Sequence, residues 1–152
     1  MRDSEMQHQN ANQLSLGPVE GEDDTLKVTV VHTSDQATLS ALQKAAVLAN
    51  SLHARLTLLY PQIVPFPRPV TSSPVLPEFT ERRLRKIASH IPADTEIRIC
   101  LCRDREDALA VELRPRSVIV LGGRKRWWPT PEKSLARKLR RAGHEVIFTE
   151  TE

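Results

Sequence analysis

The chain of 152 residues has few cysteines and no long apolar run. Two cysteines are too few for the disulfide framework that stabilises small secreted scaffolds. No apolar run approaches the roughly 20 residues that a membrane-spanning helix requires, and residues 1–8 lack the apolar core of a signal peptide. These absences predict a soluble, cytoplasmic protein without a membrane partner, and the length predicts one domain.

Patterns typical of catalysis and metal binding are also missing. The sequence has no Ser-His-Asp order, no paired carboxylates on one element and no Walker loop. Asp104, Glu106 and Asp107 fit the first turn of a helix, where acidic residues are favoured. Cys100 and Cys102 lie on one face of a predicted strand, and without a second ligand pair we expect buried core thiols. The sequence therefore predicts a non-enzymatic protein with no metal site.

The net charge of +3 is the sum of two opposite parts. Residues 1–25 hold one basic and six acidic side chains, a net charge of −5, and no periodic apolar pattern. Such a segment buries too little surface to offset its ordering entropy, so 1–25 is predicted to be a disordered acidic tail. Residues 26–152, the predicted domain, carry +8, and 16 of the 22 basic residues of the chain are arginine.

The remaining sequence alternates strand and helix patterns. Apolar periodicity, caps and turn residues predict strands at 26–31, 56–60, 96–102, 117–121 and 145–149, and helices at about 34–52, 78–90, 105–113 and 130–142. Six prolines within 61–77 predict a long extended loop there. The alternation predicts an α/β fold, a five-stranded parallel sheet flanked by helices on both faces in the Rossmann-like manner.

In such sheets, ligands bind beyond the carboxyl ends of the strands, where the strand order reverses. Two turns qualify, His32-Thr33-Ser34-Asp35 after the first strand and the turn from Gly122 to Thr130 after the fourth. Gly122 and Gly123 would let the backbone approach a ligand, and the next helix would present free N–H groups to an anion.

The segment 124–131, Arg-Lys-Arg-Trp-Trp-Pro-Thr-Pro, lies in this second turn. Residues 124–141 contain eight basic side chains against one acidic side chain. Trp127 and Trp128 beside three cations suit the stacking of bases or of an anionic aromatic ligand. Alternatively, one tryptophan packs under the loop while the cations are solvated. Nucleic-acid binding would require the basic residues to merge into one face, and we expect that they do not.

From residue 26 to about residue 150 the chain resembles the universal stress protein domain. The resemblance rests on the order of elements, the first strand leading into a helix capped at Ser34, and the segment 117–123 followed by a variable loop, a helix and a last strand. It implies a five-stranded parallel sheet related to that of the adenine nucleotide alpha hydrolases. It also implies a homodimer through the last strand, Glu145–Thr149, whose open edge leaves backbone groups for a second chain.

ATP-binding members of that family carry Gly-x-x-Gly, a later Gly-Ser or Gly-Thr pair, and an aspartate at the end of the first strand. In this chain a basic residue occupies the position of the second glycine. The later Gly-Ser or Gly-Thr pair keeps only its hydroxyl residue, and a histidine replaces the aspartate. The corresponding positions are Lys125 or Arg126, Lys133-Ser134 and His32-Thr33. The resemblance therefore implies a degenerate nucleotide site.

The leading interpretation is a non-enzymatic, stress-related or regulatory protein without a bound cofactor, whose degenerate site accepts a small anion. The candidate ligand residues are His32, Thr33, Ser34, Gly122, Gly123, Arg124, Lys125, Arg126, Lys133 and Ser134. Three alternatives stay open: ATP or another nucleotide held by the basic side chains, a nucleotide-processing enzyme, and a basic module for nucleic acid or an acidic partner.

Overall fold

The computed structural model describes residues 26–66, 69, 77–114 and 117–151. Within these ranges five strands alternate with four helices. They are β1 (Lys27–Val31), α1 (Asp35–Leu52), β2 (Arg55–Ile63), α2 (Pro77–Ala88), β3 (Thr95–Cys102), α3 (Arg105–Glu112), β4 (Val118–Arg124), α4 (Pro131–Arg141) and β5 (Glu145–Thr151). The predicted acidic tail, 1–25, and residues 67, 68 and 70–76 of the predicted proline-rich loop lie outside the described residues.

The five strands form one parallel sheet in the order β3-β2-β1-β4-β5. This arrangement confirms the predicted fold class. From β1 the chain first adds β2 and β3 on one side of the sheet and then returns to add β4 and β5 on the other side. The strand order therefore reverses between β1 and β4. The carboxyl ends of these two strands are therefore the expected ligand position.

Helices cover both faces of the sheet, as predicted. Leu42 of α1 and Leu84 of α2, both fully buried, pack with sheet residues in the core on one face. Leu109 of α3 and Leu135 of α4 are in the core on the opposite face. The inner strands β1 and β4 are largely apolar and buried on both sides, which is typical of parallel sheets.

Strand β2 is longer than predicted and includes Pro61, which was expected to lie in a loop. The backbone O of Leu59 accepts a hydrogen bond from His32 N at 2.9 Å. The backbone N and O atoms of odd-numbered residues in β2 therefore point toward β1. The paired part of β1 ends at Val31, opposite Leu59. Pro61 thus points beyond the end of β1, and its missing N–H costs no bond in the sheet.

Strand β4 also runs further than predicted. The sequence predicts that β4 ends at Leu121 with Gly122 and Gly123 in the following turn, but the strand continues to Arg124. All three added residues pair with β5, which itself extends to Thr151. The prediction of a glycine turn is therefore wrong, because parallel pairing with β5 keeps the glycine backbone extended.

Three helices begin at side-chain caps: Ser34 and Thr130 were predicted as caps, whereas Asp104 was expected within the first turn. The side chains of Ser34, Asp104 and Thr130 accept hydrogen bonds from the backbone N–H three residues further on. Each bond satisfies one of the N–H groups that a helix start leaves unpaired. Among the described residues, no helix combines the length and apolar character needed to cross a membrane.

Candidate functional site

The turn after β1 and the end of β4 meet at the carboxyl edge of the sheet. Thr33 Oγ1 donates a hydrogen bond of 2.8 Å to the backbone O of Gly122. Thr33 N in turn donates to Oγ1 of the buried Thr38 in α1. The structure thus brings together two segments that are 89 residues apart in the chain. The Thr33 hydroxyl thus joins the turn to β4, and the Thr38 hydroxyl joins the turn to α1.

His32 lies in a polar cluster at this edge. Its Nε2–H donates to Asp35 Oδ1 at 2.8 Å, and its ring lies 4.7 Å from the ring of Tyr60 between centroids. Burial lowers the pKa of His32 below its usual value, against the opposing effect of Asp35. The imidazole is therefore predominantly neutral at neutral pH, where it offers hydrogen bonds but no positive charge to an anion.

Arg83 of α2 joins the same cluster, although the sequence analysis did not single it out. Its Nε lies 3.5 Å from Asp35 Oδ2, and its guanidinium carbon lies 5.7 Å from the centroid of the Tyr60 ring. That Nε is buried and makes no hydrogen bond within the described residues. Nothing in the local sequence distinguishes Arg83 from its neighbours Arg82 and Arg85, since only the packing of α2 turns it toward the site.

Both glycines of β4 are covered by the protein itself. A Cβ built on Gly122 would lie 2.1 Å from the backbone O of Ala37, and one on Gly123 would lie 2.7 Å from Cζ of Phe148 and 3.2 Å from Cβ of Glu132. Glycine is needed here because α1 and the Phe148 ring approach β4 so closely. The space that a phosphate group would need beside these glycines is occupied by α1, α4 and β5.

Several N–H groups at the two helix starts of the carboxyl edge are bonded within the protein. At α4, Pro131 has no N–H, Lys133 N donates to Thr130 Oγ1, and Ser134 N donates to the backbone O of Thr130. Ser34 caps α1 in the same way. Each helix has an acidic residue in its first turn, so both starts already carry a compensating negative charge.

The predicted basic residues have different environments. Lys133 Nζ donates to the backbone O of Arg126 at 2.7 Å and lies 3.5 Å from Glu150 Oε2, so it fastens the loop to α4 and β5. Arg124 and Lys125 are exposed. Neither has a carboxylate partner within the part of the chain that the structure describes. Arg126 also lacks a carboxylate partner among the described residues, but it is half-buried beside the Trp128 ring, so Arg124 and Lys125 are the exposed cations that the loop offers to an anion.

Neither tryptophan of the loop is buried. Trp127 is 91% exposed and Trp128 is 44% exposed, with their rings edge to face at a centroid distance of 5.3 Å. The guanidinium of Arg126 lies 5.3 Å from the Trp128 ring centroid. The alternative in which one tryptophan packs beneath the loop is wrong, because the space under the loop is taken by Lys133 and its backbone contact.

The two cysteines lie at the carboxyl end of β3, the outer strand on the far side of β2, and both are buried free thiols, as predicted. They contact Ala108 of α3. Hydrogen bonding to Cys102 and burial together raise the pKa of Cys100. Among the described residues, no group of three or more histidine, cysteine, aspartate or glutamate side chains is placed to hold a metal ion.

No protein-family model matches the chain, and no curated protein is similar to it. Solved structures do match: a universal stress protein from Archaeoglobus fulgidus is 17% identical, with a TM-score of 0.52, over 81% of this chain and 92% of that one. A protein of the same family from Burkholderia pseudomallei is 21% identical, with a TM-score of 0.52, over 82% and 96%.

This chain has the universal stress protein fold. A further structure, the Archaeoglobus fulgidus universal stress protein in complex with dAMP, is 15% identical, with a TM-score of 0.50, over 82% of this chain and 96% of that one. At these identities the likeness concerns the fold alone. On this universal stress protein fold, the candidate edge combines covered glycines with an outward-facing basic and aromatic loop.

Proposed function

We propose that the protein is a non-enzymatic, stress-related or regulatory protein of the cytoplasm, built on the universal stress protein fold, with a degenerate nucleotide site. The occupied space beside Gly122 and Gly123 is the observation that supports this most directly. A phosphate cradle requires open room over a glycine backbone, and atoms of Ala37, Phe148 and Glu132 fill it here. ATP therefore cannot be held through these glycines without displacing α1 or β5.

The remaining capacity for an anion is assigned to Arg124 and Lys125. Both are exposed, and the forked guanidinium of arginine suits two oxygens of one phosphate group. The hydroxyl groups of Thr33 and Ser34 are hydrogen-bonded within the protein, and His32 is paired with Asp35. These three residues therefore contribute little to binding an anion. Since one similar structure is a complex with dAMP, a nucleotide is the appropriate probe.

The test is a titration with ATP, AMP, dAMP and inorganic phosphate, followed by NMR chemical shifts. Exposed ion pairs contribute only about 0–1 kcal/mol each, so we expect dissociation constants of about 1 mM or weaker that rise with salt. Replacing Arg124 and Lys125 together by alanine should abolish the shifts. The double variant Arg137→Ala/Arg141→Ala removes two exposed cations of α4 and should leave the shifts unchanged.

Two results would contradict the proposal. One is ATP binding at about 1 μM that survives the Arg124/Lys125 double variant, since such affinity needs more than two exposed charges. The other is turnover of ATP with magnesium above the level of the same variant. In either case, a structure with ATP phosphates beside Gly122 would show whether α1 or β5 had moved to make room for them.

We also propose a homodimer through β5. Glu145 N donates to Ser117 O, and Thr151 O accepts from Lys125 N. The backbone N–H and C=O groups of odd-numbered residues in β5 therefore face β4, and those of even-numbered residues face the open edge of the sheet. At the beginning of the edge, Arg140 donates to the backbone O of Val146 at 3.0 Å. The part of the edge left for a second copy is therefore centred on residues 148–150, toward the end of the predicted segment Glu145–Thr149.

A further inference from the structure

The loop after β4 exposes an aromatic side chain in a position that the backbone holds firmly. Trp127, at 91%, has the largest exposed fraction of any large apolar side chain among the described residues. Before it, Arg124 pairs with Thr151 in the sheet, and Lys125 N donates to Thr151 O at 2.7 Å. After it, Thr130 caps α4 by accepting from Lys133 N, and Lys133 Nζ reaches back to the backbone O of Arg126, the residue before Trp127. The loop is thus anchored on both sides of an outward-facing indole.

The neighbouring ring stabilises this arrangement. Trp128 meets Trp127 edge to face, at 84° between ring planes, a geometry that aromatic pairs favour. The guanidinium of Arg126 lies over Trp128, which positions that ring from its other side. Trp127 is therefore supported by one ring contact, and its 91% exposure leaves most of its ring surface available for stacking.

Unpaired positive charge lies next to this ring. Arg124 and Lys125 are exposed without a carboxylate partner within the described ranges, whereas Arg85 and Lys138, also exposed, pair with Glu81 and Glu106. An available ring face beside available cations matches the two contacts that a nucleotide strand offers, a base and its phosphates.

We infer that this loop binds single-stranded nucleic acid, with Trp127 stacking on a base while Arg124 and Lys125 contact neighbouring phosphates. The inference rests on the proposed phosphate-binding role of Arg124 and Lys125 and extends it from one nucleotide to a strand. Stacking tolerates every base, so little sequence preference is expected. An acidic peptide would use the cations but leave the exposed indole without a role.

An anionic membrane surface fits the observations less well. Insertion into a membrane interface uses an apolar face of several side chains. Here Trp127 and Trp128 are followed by Pro129 and Thr130, and the loop contains no aliphatic side chain. The exposed side of the following helix, with Arg137 and Arg141, is basic rather than apolar.

The test measures fluorescence anisotropy of labelled oligo(dT) and oligo(U), about ten nucleotides long, with the full-length protein. One stacked base contributes about 1–3 kcal/mol, so Trp127→Ala should weaken binding about 5- to 150-fold, and Trp127→Phe should retain part of it. Arg124→Ala/Lys125→Ala should reduce the salt dependence, log K against log salt, by about 1.4. Phe79→Ala, which removes an exposed ring of α2, and Arg137→Ala/Arg141→Ala serve as controls without effect.

The outcomes separate this inference from the proposed anion site. If oligonucleotides bind Trp127→Ala as tightly as wild type, or polyglutamate and polyphosphate of equal charge compete equally well, the loop acts by charge alone and the inference is wrong, while the anion site stands. If phosphatidylserine vesicles bind but oligonucleotides do not, the loop is a membrane contact and the inference is again wrong. If oligonucleotides, ATP and phosphate all fail to bind, both proposals fall.

Discussion

Replacing Gly122 by alanine should destabilise the domain more than any other glycine substitution at the carboxyl edge. The new Cβ would lie 2.1 Å from the backbone O and 2.8 Å from the carbonyl carbon of Ala37. Those atoms belong to the first turn of α1, which the Ser34 cap and the bond from Thr33 to Gly122 hold in place. Relief therefore requires α1 or β4 to move.

Overpacking in a well-packed core costs about 1–3 kcal/mol and sometimes more, and a clash with backbone belongs at the upper end, at about 3 kcal/mol. At Gly123 the closest atom is Cζ of Phe148, at the far end of a partly buried ring that can shift, so alanine there should cost about 1 kcal/mol. Replacing the ring by a smaller side chain, in the double variant Gly123→Ala/Phe148→Leu, should recover part of the lost stability.

Urea unfolding followed by circular dichroism provides the comparison, provided that the dependence on urea is the same for all variants. Gly143→Ala is the control without a clash: Gly143 has a φ of 101° and no atom within 4 Å of the built Cβ, so alanine there costs only the strain of a positive φ, about 1–2 kcal/mol. If Gly122→Ala unfolds at the wild-type urea concentration, α1 does not approach β4 as described. The space beside Gly122 would then be open to a phosphate group, which would contradict the proposed degenerate site.

Three further predictions concern pH, capping and assembly. Burial lowers the pKa of His32 and His144 in the folded state, so the unfolded chain takes up protons first and the free energy of unfolding should fall as the pH drops below about 6.5. His32→Gln should flatten part of that fall in urea titrations, and an unchanged pH profile would refute the burial effect. Ser34→Ala should cost about 1 kcal/mol by removing the cap on Ala37 N, and a loss below the error of the unfolding measurement would show that another group satisfies that N–H. Sedimentation should show a dimer that Glu150→Pro, at an exposed position whose N–H points outward, converts to monomer without unfolding it, and a monomer at high concentration would remove the proposal that β5 pairs with a second copy.

The sequence alone determined the fold class and most element positions. Runs such as Ser117–Leu121 and the caps at Ser34, Asp104 and Thr130 act through local backbone chemistry, which operates in the same way in any tertiary setting. The burial of the cysteine pair also followed from strand alternation. These features depend on residues that are neighbours in the chain, so a single sequence contains the needed information.

The ends of the strands and the character of the site depended on distant contacts. Pro61 fits in β2 because β1 has already ended beside it, and Gly122 and Gly123 remain in β4 because β5 pairs with them. The same glycines suggested an open turn in the sequence, but the structure covers them with α1 and the ring of Phe148.

The surroundings of the charged and aromatic side chains were likewise set by tertiary packing. Arg83 enters the His32 cluster only through the placement of α2, and Lys133 is used in fastening the loop. Composition and spacing determined that this chain is a basic α/β protein with an unusual segment after its fourth strand. Whether each glycine, cation and ring in that segment is covered or exposed was decided by which elements pack beside it, because that depends on the three-dimensional arrangement of residues far apart in the chain.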